Sequence, residues 1–222
     1  MTTLLILGAT GQVGQQLLRL SLSNDEVGRV LAPTRHALAA HPKLDNPIVD
    51  YEHLSADAPW WKADAILCAL GTTMRIAGSQ EAFYRVDHDY VMSAAQHAKA
   101  AGSRCFVLNS SMGAKLDAGS FYLRTKAETE RDLAALGFTS LTIVRPSLLD
   151  GGKRPERRTG EALALILSRL LGRLIPRRLR PISTHKVALA MIQAALHATP
   201  GVTCIESEQL HECSDQSSGA VR

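Results

Sequence analysis

One N-terminal stretch decides the fold: Thr3-Leu4-Leu5-Ile6-Leu7-Gly8-Ala9-Thr10-Gly11-Gln12-Val13-Gly14. An apolar run of strand length ends in three glycines, and a pattern typical of an amphipathic helix follows at once. Gly8 permits a tight turn, Gly11 lets the backbone approach a pyrophosphate, and Gly14 lets the helix pack close to the sheet. Because a strand, a glycine turn and a helix place a helix N-terminus against a phosphate, the stretch predicts a dinucleotide site. The residues assigned to it are Gly8, Thr10, Gly11, Gln12, Val13 and Gly14; the alternative is an ordinary glycine-rich turn.

Length and composition are typical of a globular protein. The chain has 222 residues, 45% of them hydrophobic, and it lacks an apolar run of about eighteen residues, so no membrane span is expected. The N-terminus shows no basic region and no cleavage site, so no secretory signal is expected either. No CxxC pair occurs, and Cys68 and Cys105 lie in apolar runs, which predicts buried thiols in a cytoplasmic setting. The eight histidines lack the spacing of metal ligands, so no metal site is expected.

Strand and helix patterns alternate along the rest of the chain. Strands are predicted at residues 4–7, 28–32, 47–49, 63–70, 105–108 and 141–144, with a last short one at 202–205. Helices are predicted at residues 12–22, 79–101, 121–136, 160–174 and 184–197. Together with the glycine turn, this pattern predicts a doubly wound α/β (Rossmann) fold. Its mostly parallel sheet has helices on both faces and a small C-terminal helical appendage.

The second strand ends in a sequence that bears on the choice of cofactor, Leu31-Ala32-Pro33-Thr34-Arg35. NAD-binding versions of this fold usually place an acidic residue there, for the ribose 2′-hydroxyl. Here the position carries Arg35, and a guanidinium suits a 2′-phosphate by charge and geometry. The sequence therefore predicts NADP(H), and the alternative is that Arg35 is a solvated surface charge.

A catalytic group is predicted beyond the fifth strand. Tyr122 and Lys126 are four residues apart and share a helix face, and Ser111 follows the strand at the edge where ligands bind in parallel sheets. A nearby ammonium favours the phenolate of Tyr122, which could then exchange a proton with a carbonyl or alcohol during hydride transfer. Ser111 would hold the substrate oxygen, and Lys126 would also hold the nicotinamide ribose. The alternative is a surface helix with a half-buried tyrosine, a solvated lysine and serines in a turn.

Several segments carry a family resemblance: Gly8 to Gly14, Leu70-Gly71-Thr72-Thr73, Arg85 to Val91, Ser110 to Ala114, Phe121-Tyr122-Leu123 with Lys126, and Val144-Arg145-Pro146. Through them the chain resembles an atypical short-chain dehydrogenase/reductase, and more closely the Tat-interacting-protein-like oxidoreductases. The resemblance implies NADP(H) binding and a Ser-Tyr-Lys site at Ser111, Tyr122 and Lys126. It also implies that Asp50 lies near the adenine, and that Leu70, Gly71, Thr72 and Thr73 pass beside the ribose and nicotinamide. Classical members have Asn-Asn-Ala-Gly where this chain has Ala69-Leu70-Gly71-Thr72.

The positive charge is concentrated late in the chain. Residues 151–183 hold nine Lys or Arg and two Glu, whereas the whole chain has a net charge of +4. The favoured interpretation is a helix that packs its apolar face on the substrate side while its charges are solvated. A protein partner's groove or an anionic membrane surface is the alternative. No nucleic-acid recognition motif is present.

Three domain segments and two functions follow from these patterns. We expect residues 1–150 to form the NADP-binding core, residues 151–207 a small substrate-side cap of the same domain, and residues 208–222 a flexible tail. The first function is an NADP(H)-dependent oxidoreductase acting on a small carbonyl or alcohol, which the Ser-Tyr-Lys set favours. The second is an NADP(H)-sensing regulatory or protein-interaction module with little turnover, which the small cap and the basic segment favour. A sugar-nucleotide epimerase would use the same triad, but little chain remains to hold its substrate.

Overall fold

A computed structural model of the chain describes residues 1–150 and 177–212. Nine strands occur in this part of the chain: β1 (Thr2–Leu7), β2 (Val27–Leu31), β3 (Leu44–Asp45), β4 (Ala65–Cys68), β5 (Cys105–Asn109), β6 (Ser140–Arg145), β7 (Leu149–Asp150), β8 (Ile182–Ser183) and β9 (Gly201–Glu206). Seven form one parallel sheet in the order β3-β2-β1-β4-β5-β6-β9, and β7 pairs with β8 separately. The order reverses next to β1, so the loops after β1 and β4 diverge and open a crevice at the carboxyl edge. The predicted doubly wound fold is confirmed.

The helices within the described residues are α1 (Gln12–Leu22), α2 (Met74–Ala77), α3 (Gln80–Tyr84), α4 (Tyr90–Ala100), α5 (Phe121–Ala135), α6 (Thr184–Leu196) and α7 (Ser207–Leu210). A π-helical turn, Arg85–Asp89, joins α3 to α4 where the sequence predicts one uninterrupted helix. Short 3₁₀ turns occur at Pro59–Trp61 and Arg177–Leu179. In this part of the chain, no helix combines the length and the apolar character needed to cross a membrane.

The central strands of the sheet are buried on both faces, as their continuous apolar sequences predict, whereas the edge strand β9 is largely exposed. Along β1, Leu4 and Ile6 belong to the core cluster that contains residues of α1 and α6. Leu5 and Leu7 point the other way, into the cluster formed with α4 and α5. All four side chains are fully buried, which fixes the strand register because a slip of one residue would exchange the two faces.

The third strand differs from its prediction. It lies at Leu44–Asp45 rather than at residues 47–49, where only an isolated bridge joins Thr34 to Ile48. The side-chain amide of Asn46 donates to a carbonyl at the end of β2 (2.6 Å) and to the Thr34 hydroxyl (2.7 Å). Pro47 has no N–H, so the Asn46 amide takes the place of one ladder bond. The pairing continues beyond it, because the Thr34 N–H donates to the Pro47 carbonyl (3.0 Å) and the Val49 N–H donates to the Thr34 carbonyl (2.9 Å). Residues 47–49 therefore pair with the chain beyond β2, but not as a regular strand.

The predicted helix at 184–197 and the predicted strand at 202–205 are confirmed as α6 and β9. The expected tail differs at its start, because Ser207–Leu210 is helical and Leu210 is fully buried in the core. A capping box between Glu206 and Gln209 begins this helix, which explains how so polar a stretch becomes ordered. The rest of the tail, the predicted helix at 160–174 and most of the basic segment lie outside the described residues.

Candidate functional site

The glycine turn after β1 has the backbone geometry that its sequence predicts. Gly8 has a φ of +82°, and its carbonyl accepts the Gly11 N–H at 3.0 Å. A Cβ on Gly14 would lie 1.9 Å from that carbonyl oxygen, and one on Gly8 would lie 2.6 Å from the carbonyl oxygen of Ala69. Helix α1 begins at Gln12 and has no acidic residue in its first turn. The turn therefore allows a close approach to the N–H groups at the start of the helix, which fits a pyrophosphate.

The other two turn residues assigned to the cofactor differ in their surroundings. Thr10 is exposed, and its carbonyl accepts from the side-chain amide of Gln15 at 2.9 Å. Val13 is 4% exposed and packs in the core. Its side chain thus anchors α1 to the sheet, and only its backbone can face a ligand.

A second group of residues surrounds the carboxyl end of β2. Arg35 is exposed there, and Asp50 is exposed with its carboxylate 3.0 Å from the imidazole of His53, whose hydrogen bond lowers the pKa of Asp50. Tyr51, which belongs to none of the motifs in the sequence, donates its hydroxyl to the carbonyl of Pro33 at 2.9 Å. Burial raises the pKa of Tyr51, whose oxygen also meets the backbone of the glycine turn. The phenol therefore links the loop after β1 to the loop after β2.

The predicted Lys126 lies in a buried ion pair. Its ammonium nitrogen is 2.8 Å from Oδ1 of Asp87, and the two residues are 5% and 1% exposed. The other carboxylate oxygen of Asp87 accepts the N–H of Thr72 at 2.7 Å. Asp87 falls within a segment that carries the family resemblance, but the sequence offered no reason to pair it with Lys126.

The electrostatics of this pair favour the charged form of Lys126. Burial by itself would lower the pKa of Lys126, but the charge of Asp87 and the interaction with Tyr122 outweigh it and raise the pKa to about 12. Cys68, at the end of β4, also interacts with the ammonium. Burial raises the pKa of Cys68 to about 12, so this thiol is neutral at physiological pH.

Tyr122 lies one helical turn before Lys126, as predicted, and it is half-buried. Its ring packs against the buried ring of Phe83, with centroids 5.7 Å apart. Ser111 lies at the same edge of the sheet, just beyond β5, and its hydroxyl makes one long contact of 3.4 Å to the carbonyl of Met112. A hydroxyl with so weak a partner is available to a ligand.

The loop after β4 borders the ion pair. A Cβ on Gly71 would lie 3.2 Å from the carboxylate of Asp87 and 3.7 Å from the ammonium of Lys126, so the bare backbone covers the pair. Leu70 packs against the core, and the Thr73 hydroxyl caps α2 by accepting the Ile76 N–H at 3.2 Å. The structure thus brings the loop predicted to meet the nicotinamide ribose together with Lys126.

A further buried network holds α5 against the sheet edge. Ser110 donates its hydroxyl to Glu130, which also forms an ion pair with Arg145 at 2.5 Å. Arg145 in turn contacts Glu206 at 3.0 Å, and its hydrogen bonds with Glu130 raise the pKa of Arg145. Because Glu130 lies one helical turn after Lys126, the network sets where that part of α5 meets the ends of β5, β6 and β9.

Comparisons with known proteins agree with this geometry. A family model described as NAD(P)H-binding matches residues 8–198. The chain is 39% identical over 164 residues to Protein HTATIP2 of Rattus norvegicus, covering 72% of this chain and 67% of the rat protein. It is 33% identical over 185 residues to the fmp52 protein of Emericella nidulans, covering 78% and 77% of the two chains.

Two solved structures share the fold at low sequence identity. An oxidoreductase of the short-chain dehydrogenase/reductase family from Burkholderia thailandensis superposes with a TM-score of 0.66, at 19% identity, over 95% of this chain and 93% of that one. MoeE5, solved with UDP-glucose and NAD, superposes with a TM-score of 0.70, at 19% identity, over 91% and 74%. Identities this low establish the common fold and nothing about the substrate.

The cytoplasmic setting expected from the cysteines is wrong. Relatives from Emericella nidulans and Candida albicans are named as mitochondrial proteins. Cys68 and Cys105 are indeed buried free thiols, but burial alone protects them. Their reduced state therefore does not identify a compartment.

Proposed function

The chain belongs to the NAD(P)H-binding family, and on that premise we propose that it is an NADP(H)-dependent oxidoreductase. Its relatives include HTATIP2 and FMP52 proteins, and its fold is shared with short-chain dehydrogenases/reductases. It transfers hydride between the nicotinamide and a small carbonyl or alcohol. One observation carries the proposal: a buried, charged Lys126 lies one helical turn from the half-buried Tyr122, at the sheet edge where ligands bind.

The residues along the carboxyl edge suit the successive parts of the cofactor. The N–H groups around Gly11 would bind the pyrophosphate, and the Arg35 guanidinium would bind the 2′-phosphate. Asp50 would border the adenine, while Lys126 and the loop of residues 70–73 would hold the nicotinamide ribose. When bound, NADP(H) supplies or accepts the hydride.

The proton is handled by the side chains of α5 and β5. The hydroxyl of Tyr122 gives its proton to the substrate oxygen during reduction and takes one back during oxidation. The charge of Lys126 stabilises the phenolate that remains. The hydroxyl of Ser111 donates a hydrogen bond to the same substrate oxygen, and Phe83 restricts the ring of Tyr122. A small panel of carbonyls is therefore the appropriate first set of substrates.

The test compares Tyr122→Phe with a matched tyrosine variant. Tyr84 is also half-buried and stacks on His88 (4.5 Å), so Tyr84→Phe removes a hydroxyl away from the proposed chemistry. With NADPH and the carbonyl panel, Tyr122→Phe should lower kcat/KM by about 100-fold or more while NADPH affinity is kept. Tyr84→Phe should behave as the wild type. Full activity of Tyr122→Phe would refute the role of the phenol. Tight NADPH binding by a wild type without any turnover would instead favour the cofactor-sensing module.

The preference for NADP(H) has its own test. NADPH and NADH are titrated by fluorescence against the wild type, Arg35→Ala and the control Arg29→Ala, which removes an exposed arginine that pairs with Asp45. Loss of a charged hydrogen bond to a phosphate should weaken NADPH binding about 10- to 100-fold in Arg35→Ala. Binding of NADH should be unchanged in both variants. A wild type that binds NADH as tightly as NADPH would contradict the assignment.

A further inference from the structure

Asp87 is a buried carboxylate to which the proposed chemistry gives no part. It is 1% exposed and lies in the π-helical turn Arg85–Asp89. Such turns insert an extra residue into a helix, redirect the side chains around it, and occur often at functional sites. The turn here directs a carboxylate into the space between the loop after β4 and α5.

The contacts of Asp87 explain why position 87 needs a charged carboxylate rather than a neutral side chain of the same shape. One oxygen accepts the Thr72 N–H at 2.7 Å, and the other lies 2.8 Å from the ammonium of Lys126. An asparagine would fill the same volume and accept the same N–H. It would not form an ion pair with the lysine. Burial of an unpaired carboxylate is energetically unfavourable. We therefore attribute the presence of a charge at Asp87 to its ion pair with Lys126.

Three side chains interact most strongly with the ammonium of Lys126, and they come from three elements. Asp87 comes from the π-helical turn, Tyr122 from the lysine's own helix, and Cys68 from β4. Cys68 is a neutral thiol because burial raises its pKa to about 12. Tyr122 is a neutral phenol whenever it is ready to donate its proton. Of these three groups, Asp87 is therefore the one whose charge balances the ammonium. A buried lysine without a counter-ion loses its proton several pH units below its usual range.

We propose that Asp87 is the positioning residue of the site, which keeps Lys126 protonated and held against the loop of residues 70–73. Asp87 thereby sets the upper end of the pH range in which the site works. The consequence for turnover rests on the proposed function, whereas the protonation of Lys126 does not depend on it. The experiment therefore has one measurement for each.

The first measurement follows Lys126 directly. The protein is labelled with ε-¹³C lysine, the Lys126 resonance is assigned by its loss in Lys126→Arg, and its NMR shift is titrated with pH. In Asp87→Asn the midpoint should fall by about two pH units or more. The control Asp89→Asn, which removes an exposed carboxylate from the same turn, should keep the wild-type midpoint. An unchanged midpoint in Asp87→Asn would overturn the proposal.

The second measurement is the pH profile of kcat/KM with NADPH. In Asp87→Asn, activity should fall about tenfold per pH unit above the new midpoint, while the wild type stays active. The double variant Asp87→Asn/Lys126→Arg should lose this alkaline decline, because arginine keeps its proton. If the double variant declines in the same way, the loss does not come from Lys126 and the proposal fails. A wild type without turnover would refute the proposed function alone, because the NMR titration still decides the role of Asp87.

Thermal unfolding accompanies both measurements. If Asp87→Asn alone does not fold, the thermal unfolding of the double variant Asp87→Asn/Lys126→Met is measured instead. Cooperative unfolding restored in that double variant would show that the unbalanced ammonium is the defect, as the proposal requires. A double variant that still does not fold would show that the carboxylate is needed for a reason other than the charge of Lys126, and would overturn the proposal.

Discussion

Replacement of Gly14 by alanine gives a sharp test of the cofactor turn, because two effects of opposite sign can be compared. Alanine is a better helix former than glycine by about 1 kcal/mol, and Gly14 lies inside α1. However, the new Cβ would lie 1.9 Å from the carbonyl oxygen of Gly8 and 2.9 Å from Cα of Ala9. Normal carbon contacts are about 3.5 Å, so α1 and the turn must separate by roughly 1.5 Å. Because both neighbours are backbone, side-chain rotation cannot relieve the contact.

The clash should therefore outweigh the helix propensity. Overpacking of this kind costs about 1–3 kcal/mol or more, and the expected net loss of about 2 kcal/mol lowers Tm by roughly 5 °C. Displaced N–H groups at the start of α1 should also weaken NADPH binding at least about tenfold. Gly119→Ala is the matched control, since nothing lies within 4 Å of its Cβ. Wild-type Tm and NADPH affinity in Gly14→Ala would refute the placement of α1 against the turn.

Two further predictions concern stability. Arg145→Met leaves the buried Glu130 without its ion pair and should cost about 3 kcal/mol in urea unfolding; a loss below about 1 kcal/mol would contradict the burial of that pair. Asp132 is held at a pKa of about 2, below its ordinary 3.8, by hydrogen bonds from Arg131 and His88. Its contribution is therefore present above pH 4 and lost as the pH falls toward 2. Because the group is largely solvated, the contribution stays below about 1 kcal/mol. The Tm of Asp132→Asn should fall less steeply than that of the wild type over this range, and parallel curves would argue against the assignment.

Much of the fold could be predicted because its signals are local. The apolar run of Leu4 to Leu7 and the glycines that follow it specify a strand, a turn and a helix from adjacent residues. The third strand could not be placed in this way, because Pro47 cannot donate to the ladder and the side chain of Asn46 takes the place of that backbone bond. The π-helical turn at Arg85–Asp89 likewise left no periodic signal, since a single extra residue hardly changes a helical pattern.

In the candidate site, too, the features set by local sequence could be predicted and the contacts between distant segments could not. The spacing of Tyr122 and Lys126 predicted their common helix face, and Ser111 was placed at the correct edge by its position after a strand. The contacts of Asp87 and Tyr51 were not predictable, because each joins segments that are far apart in the sequence. A local sequence motif does not indicate which distant residue a side chain will contact.

By itself, the sequence determined the main alternation of strands and helices, the glycine turn after β1 and the residue types present at the candidate site. Those properties depend on neighbouring residues and on helical or strand spacing, which can be read along the chain. Only the tertiary structure decided that the ammonium of Lys126 is buried against the carboxylate of Asp87. The charge of a lysine depends on its burial and on its partners, and both are set when distant segments pack together.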